Sequence, residues 1–285
     1  LLQPALAKPP QLRSAAAYII DGDNNVVLAK NAFTPRPIAS ISKLIVANVL
    51  MGSIEAADRE IVIDGTELAL LHGLLPRHDR KLRNGTTLTP IELLNIALIS
   101  SNNLAISALT YSVGLETVIA AVNATMAASG FNSVTLVEPT GLSALNVASA
   151  HDLAMFALTL VNTDVARISV MPAYVTHGVT FNTTNVFVRL PTWEVLVQKT
   201  GFTNAAGRCV LMVINVRGQL YSIALLGARS KQDLWQDVVA IRRYLGDDNF
   251  VMPQPPPQLS KKRGKIRQVV KQPSETTQTL LKRAY

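Results

Sequence analysis

Apolar and polar positions divide the 285-residue chain into a strand-rich start, a long helical middle and a strand-rich close. Residues 15–21 are apolar and extended in character. The cluster Asp21-Gly22-Asp23-Asn24-Asn25 is turn-forming, and 26–29 is apolar again, which predicts a β-hairpin. Pro35 and Pro37 break the chain before a helix over 38–51, where Ile41, Leu44, Ile45 and Val49 fall near helical spacing. Helical patterning continues to about residue 163. Thr89-Pro90-Ile91-Glu92 opens one helix with Thr at the N-cap, Pro at the first position and an acid in the first turn, ahead of 93–99. Asn103–Val113 and Leu115–Ala128 follow as helices separated by Gly114, and 148–160 is another, capped by Ser149.

Residues 195–199, 209–216 and 220–226 are rich in β-branched and apolar side chains and predict strands of one antiparallel sheet, with Arg217-Gly218 as a tight turn. Ser230-Lys231-Gln232-Asp233 caps a last helix over 234–244. Hairpin strands at the start must pair with strands near the end. The expected fold class is therefore α+β: a five-stranded antiparallel sheet flanked by terminal helices, with an all-helical lobe at about 40–165 inserted into it. A seam between sheet and lobe is the natural place for a site. Residues 1–14 read as an N-terminal segment and 15–247 as one folded domain. Residues 248–285, opened by Pro253 and Pro255-Pro256-Pro257, read as a linker and disordered tail.

Charge sharpens that division. The net charge of +8 is concentrated in the tail: residues 251–285 hold eight bases and one acid, whereas 1–250 hold 19 bases and 18 acids. A folded nucleic-acid binder should carry its excess on the folded surface, and the tail has only Tyr285 as a stacking residue, so nucleic acid is not expected as a partner. Weak electrostatic contact of the tail with an anionic wall or membrane surface is the expected role for its charge. The single cysteine, Cys209, excludes an internal disulfide and Cys-held metal centres. His72, His78, His151 and His177 lack metal-ligand spacing, so neither metal nor cofactor is expected. No run approaches the ~18 apolar residues of a transmembrane helix. Ala5-Leu6-Ala7 near the start has the small-residue pattern of a signal-peptide cleavage site, so export is expected.

Three short patterns carry chemistry: Ser40-Ile41-Ser42-Lys43 (S-x-x-K), Ser101-Asn102-Asn103 (S-x-N) and Lys199-Thr200-Gly201 (K-T-G). Ser40 and Lys43 lie three apart at the start of a helix, so an amine sits one turn from a hydroxyl and can take its proton. Unpaired N–H groups at that helix start offer half an oxyanion hole, and the N–H of Phe202 the other half. Lys199 is expected to end a strand, sharing a face with Gly201, whose missing side chain lets a substrate backbone approach. Ser101 and Asn103 project from an inter-helix loop into the seam.

In this context the chain resembles the D-alanyl-D-alanine peptidases, the low-molecular-mass penicillin-binding proteins. The residues concerned are Pro37 to Leu44, Leu98 to Ala105, Glu138-Pro139-Thr140-Gly141-Leu142-Ser143 with Ala150 to Ala154, and Gln198 to Gly207. The last segment is similar to the endopeptidase branch, and the short, polar stretch after Gly246 leaves no room for the C-terminal β-domain of carboxypeptidase relatives. The resemblance, over about 15–245, implies a β-lactamase/transpeptidase-like fold and the following roles. Ser40 is the acylated nucleophile and Lys43 its general base, kept neutral by burial and by Lys199. Asn103 orients, and Ser101 relays a proton to the leaving amine. Lys199 and Thr200 bind the carboxylate beside the scissile bond, with Gly201 and Phe202 completing the substrate site. It implies peptidoglycan peptide stems as substrate, β-lactams as inhibitors and the periplasm as location. A D-alanyl-D-alanine carboxypeptidase uses the same constellation and is the alternative. A β-lactamase using Glu138 to position water, and a non-catalytic wall-binding protein, are the more distant ones.

Overall fold

The computed structural model describes residues 8–54, 59–64 and 81–246. Along them run β1 (Ala16–Asp21), β2 (Val26–Lys30), β3 (Arg36–Pro37), α1 (Ser42–Ile54), β4 (Ile61–Val62), β5 (Thr87–Leu88), α2 (Pro90–Ile99), α3 (Asn103–Val113) and α4 (Leu115–Ala128). They continue with β6 (Val147–Ala148), α5 (Ala150–Thr159), α6 (Asp164–Ser169), β7 (Ala173–Thr176), β8 (Val179–Asn182), β9 (Glu194–Thr203), β10 (Gly207–Val216), β11 (Gln219–Ala228) and α7 (Lys231–Tyr244). The central sheet has the order β2-β1-β11-β10-β9, with its pairs antiparallel. The N-terminal hairpin therefore pairs through β1 with the last strand, as the sequence pattern required. The signal-peptide pattern, the tail, His72 and His78 lie outside the described residues.

Local chemistry explains the boundaries. Thr89 and Glu92 form a capping box on α2, the Thr89 N–H donating to Glu92 Oε2 at 2.9 Å, with Pro90 at the first helical position. Ser149 Oγ accepts from Asp152 N on α5, and Ser230 Oγ from Asp233 N on α7, each at 3.0 Å. Arg217 and Gly218 both have positive φ (55° and 85°), the signature of the two-residue turn whose twist suits a hairpin. The sheet lies between α5, packed on β1, β10 and β11, and α7, packed on β10 and β11. Tyr18, Ile20, Leu211, Val213, Ala224 and Leu226 of the sheet share one buried core with the helical lobe.

Two expectations need correction, and one hairpin had no counterpart among them. Of the two terminal segments, only the C-terminal one supplies a flanking helix among the described residues: residues 8–15 are not helical. They are tied to α7 instead by Asp237, which accepts from the N–H of Arg13 and from the N–H and hydroxyl of Ser14. The β7–β8 hairpin was not anticipated. Its turn, His177-Gly178, has φ of 48° and 71°, a geometry in which His is an unusual first residue. Finally, Lys199 does not end its strand: β9 continues to Thr203, because pairing with β10 persists through Gly207↔Thr203.

Candidate active site

The segment around Ser40 is not a plain helix start. Ala39–Ile41 is a tight 3-10 turn before α1, and Ala39 has φ +48°, a left-handed conformation costly for a residue with a Cβ. Its surroundings hold it there. Ser42 Oγ donates to Ala39 O at 2.9 Å, and Ile38 N donates to Asn146 O at 3.1 Å. Gly141 (φ +80°) lies so close that a Cβ on it would fall 1.9 Å from Ala39 O. Gly201 abuts the same turn, where a Cβ would lie 3.0 Å from Ile38 O and from Ser40 N. The absent side chain of Gly201 therefore admits the Ser40 turn, and Gly201 also lines the cleft. Strain concentrated beside a reactive group is a recurrent feature of functional sites.

Lys43, in the first turn of α1, is fully buried. Its Nζ lies 3.0 Å from Ser40 Oγ, 2.6 Å from Asn103 Oδ1 and 2.6 Å from the carbonyl oxygen of Thr140. Asn103 reaches it from the first residue of α3. The middle residue of that motif, Asn102, caps α3 by accepting from Ala105 N at 2.8 Å, and Ser101 adopts φ +60°, so the loop turns sharply at the serine. Ser101 Oγ accepts from Lys199 Nζ at 2.8 Å. Lys199 is also fully buried, and burial first, then the positive charge of Lys43, hold its amine well below the ordinary lysine range. Thr200 Oγ1 lies 2.6 Å from Thr184 Oγ1, just past the β7–β8 hairpin.

All eight anticipated residues thus meet in one place. Ser40, Ser101, Asn103, Thr200, Gly201 and Phe202 line a cleft of about 490 Å³, with Lys43 and Lys199 buried beneath it. β9 is an edge strand and the nucleophile turn packs against it. Cys209 also lines the cleft, but burial pushes its thiol up to about 11, so it stays protonated and unreactive at neutral pH. His151 stacks with Tyr18 and Phe33 and bonds Asp152, and neither it nor His177 lines the cleft. Among the described residues no group of three His, Cys, Asp or Glu side chains could hold a metal ion.

What motif reading missed is the loop that supplies the third partner of Lys43. The Glu138 carboxylate accepts from Thr140 N and Thr140 Oγ1, each at 2.6 Å, and from Ser143 N and Asn146 Nδ2, each at 3.1 Å. Asn146 Nδ2 also donates to Ser42 Oγ at 3.0 Å, joining the loop to α1. This network presents the Thr140 carbonyl to Lys43 and Gly141 to Ala39. The segment was visible in the sequence as a family-like run, but a backbone carbonyl has no residue type to search for.

A family model described as D-alanyl-D-alanine carboxypeptidase matches residues 3–229. A D-alanyl-D-alanine endopeptidase of Escherichia coli is 31% identical over 277 residues, 92% of this chain and 86% of that one. One of Pseudomonas aeruginosa is 31% identical over 245 residues, 82% of this chain and 78% of that one. Among solved structures, a penicillin-binding protein D2 of Listeria monocytogenes in a cefotaxime-bound form superposes with a TM-score of 0.73 at 21% identity, covering 85% of this chain and 99% of the other. A D-alanyl-D-alanine carboxypeptidase of Mycobacterium tuberculosis does so at 0.73 and 22%, covering 89% and 97%. The structures share the fold. The family model and the relatives together cover the whole cleft, and this chain belongs to the D-alanyl-D-alanine carboxypeptidase family of serine peptidases.

Proposed function

We propose that the protein is a penicillin-sensitive serine DD-endopeptidase that hydrolyses D-alanyl bonds in peptidoglycan cross-links through an acyl-enzyme on Ser40. The observation that carries this reading is the bonding of Lys43. Asn103 Oδ1 and the Thr140 carbonyl are acceptors only and lie 2.6 Å from Lys43 Nζ, while Ser40 Oγ lies 3.0 Å from it. In the neutral form of the amine these two acceptors can take N–H groups, and the lone pair can then face the Ser40 hydroxyl. That is the arrangement a general base needs.

In the proposed reaction Lys43 removes the Ser40 proton as Oγ attacks the D-alanyl carbonyl. The backbone N–H groups of Ser40 and Phe202 stabilise the oxyanion. Ser101 relays a proton to the departing amine, and water then hydrolyses the ester. Lys199 and Thr200 bind the carboxylate beside the scissile bond. Its arrival supplies the negative charge that favours the ammonium form of Lys199, so binding itself charges that site. Both oxygens of Glu138 already accept bonds from their own loop, which speaks against the water-positioning glutamate of a β-lactamase.

Residues 15–247 are the catalytic unit in this reading, and export to the periplasm puts it where cross-links are. The test is digestion of purified cross-linked muropeptide dimers, read by mass. Conversion to monomers is expected, whereas loss of a single terminal D-alanine would assign a carboxypeptidase. Penicillin should add one adduct to the intact protein, and Ser40→Ala should abolish it; an adduct that persists would refute the assignment of Ser40.

A further inference from the structure

The cleft carries charge for which the reaction has no use. Residues 1–250 are nearly neutral, with 19 bases and 18 acids, yet the cleft walls hold Lys81, Arg208 and Lys231 and, among the described residues, no acid. Lys81 is engaged, donating to Thr180 O at 2.8 Å. Arg208 stands over Phe202 and Lys231 over Trp235, and the two charges are near enough to act on each other. Arg208 pairs opposite Phe202 across β9 and β10, its guanidinium carbon 3.7 Å from the ring centroid. Lys231 Nζ lies 4.3 Å from the centroid of Trp235, which lines the same cleft. The Lys231 amine is held below its ordinary value by burial first, then by the charges of Arg208 and Arg189. No ion pair joins Arg208 or Lys231 to a carboxylate among the described residues. Like charges collected on two aromatic faces are unfavourable in the free protein, and a bound anion reverses the sign of that interaction.

We propose that Arg208 and Lys231 form a second carboxylate subsite, which binds a substrate carboxylate other than the one at Lys199 and Thr200. The two positions are distinct. Lys199 is fully buried and bonded to Ser101, while Phe202 lies two residues beyond Thr200, roughly 6–7 Å further along the strand. The guanidinium fork of Arg208 suits a carboxylate, and the Phe202 face holds that fork in place. The subsite selects peptides with several free carboxylates, such as two cross-linked wall stems, over a short peptide ending in one. It rests on the DD-endopeptidase reading and names what that site recognises.

The experiment compares two cross-linked dimers. One has all its carboxylates free. In the other every carboxylate except the one beside the scissile bond is amidated. The wild-type protein should cleave the amidated dimer with kcat/KM lower by about tenfold, chiefly through KM. Arg208→Gln with Lys231→Gln should lose about that factor on the free dimer and cease to distinguish the two. The same contrast should appear as a Kd ratio on the Ser40→Ala protein, where no turnover is needed. Equal kcat/KM and equal affinity for the two dimers in the wild type, or variants that lose the same factor on both, would overturn the subsite. Cleavage of either dimer would still uphold the endopeptidase reading, so the two failures are distinguishable.

Discussion

Replacing Gly141 by Ala tests whether the Ser40 turn is held by the loop packed on it. The added Cβ would lie 1.9 Å from Ala39 O, 2.2 Å from Ala39 C and 2.8 Å from Ser40 N, all of them backbone atoms that no rotamer change can move. Reaching even the 3.0 Å lower limit of real contacts from 1.9 Å demands an opening of 1.1 Å between the loop and the Ser40 turn. The φ of +80° adds strain of about 1–2 kcal/mol for a residue with a Cβ, and overpacking about 1–3 kcal/mol more. We expect a stability loss of about 2–5 kcal/mol, and an acylation rate lower by about 100-fold, since a displacement near 1 Å disturbs both Ser40 and the Thr140 carbonyl that holds Lys43. Urea unfolding gives the first quantity and fluorescent-penicillin labelling the second. Gly201→Ala meets Ala39 Cβ, Ile38 O and Ser40 N at 3.0 Å without a positive φ, so its loss should be smaller, about 1–2 kcal/mol. Gly52→Ala, on α1 with nothing within 4 Å, should gain about 0.5–1 kcal/mol. A Gly141→Ala protein that labels within about threefold of wild type would refute the account of how Ser40 is placed.

Lys43→Arg keeps the charge but offers no lone pair at working pH, so labelling should be lost; substantial residual labelling would make another group the base. Glu138→Gln replaces an acceptor of four bonds by an amide that must turn an N–H toward donors. Stability should fall by about 2–4 kcal/mol and the acylation rate with it, and a variant that melts and labels like wild type would sever the loop from Lys43. Lys199 has its native pKa well below 10.5, by burial and by Lys43. Between those values the unfolded chain binds more protons, so wild-type stability rises with pH there, and below that window the penalty is full and constant. Whatever the offset of Lys199→Met, its stability relative to wild type should therefore decline as pH rises toward 10.5 in urea titrations; a rising difference would contradict the burial argument.

Helices and strands with strong local signals are legible in the sequence. Thr89-Pro90 with Glu92, Ser149 and Ser230 are caps whose function is decided within four residues, and each caps as its chemistry dictates. Arg217-Gly218 turns because two positive φ angles match the twist of a hairpin. The β7–β8 hairpin escaped because His-Gly is a weak turn signal, and because its value is tertiary. Thr176 Oγ1 donates to Glu92 Oε1 at 2.6 Å, and Asn182 lines the cleft. The far end of β9 escaped because strand length there is decided by pairing with β10 and not by composition.

By itself the sequence singled out the side chains proposed to do the chemistry. Ser40, Lys43, Ser101, Asn103 and Lys199 are residue types fixed by proton affinity and donor count, and S-x-x-K spacing alone puts an amine one turn from a hydroxyl. Only the tertiary structure decided the surroundings that suit Lys43 to the proposed role of base and Ser40 to that of nucleophile. The Thr140 carbonyl arrives 97 residues along the chain, Asn103 arrives 60 residues along it, and Gly141 and Gly201 both pack on a left-handed Ala39. The physical reason is that backbone carbonyls and absent side chains carry no signature in residue type. Desolvation, which depresses the amine of Lys199, is likewise a property of everything packed around it and of no single position.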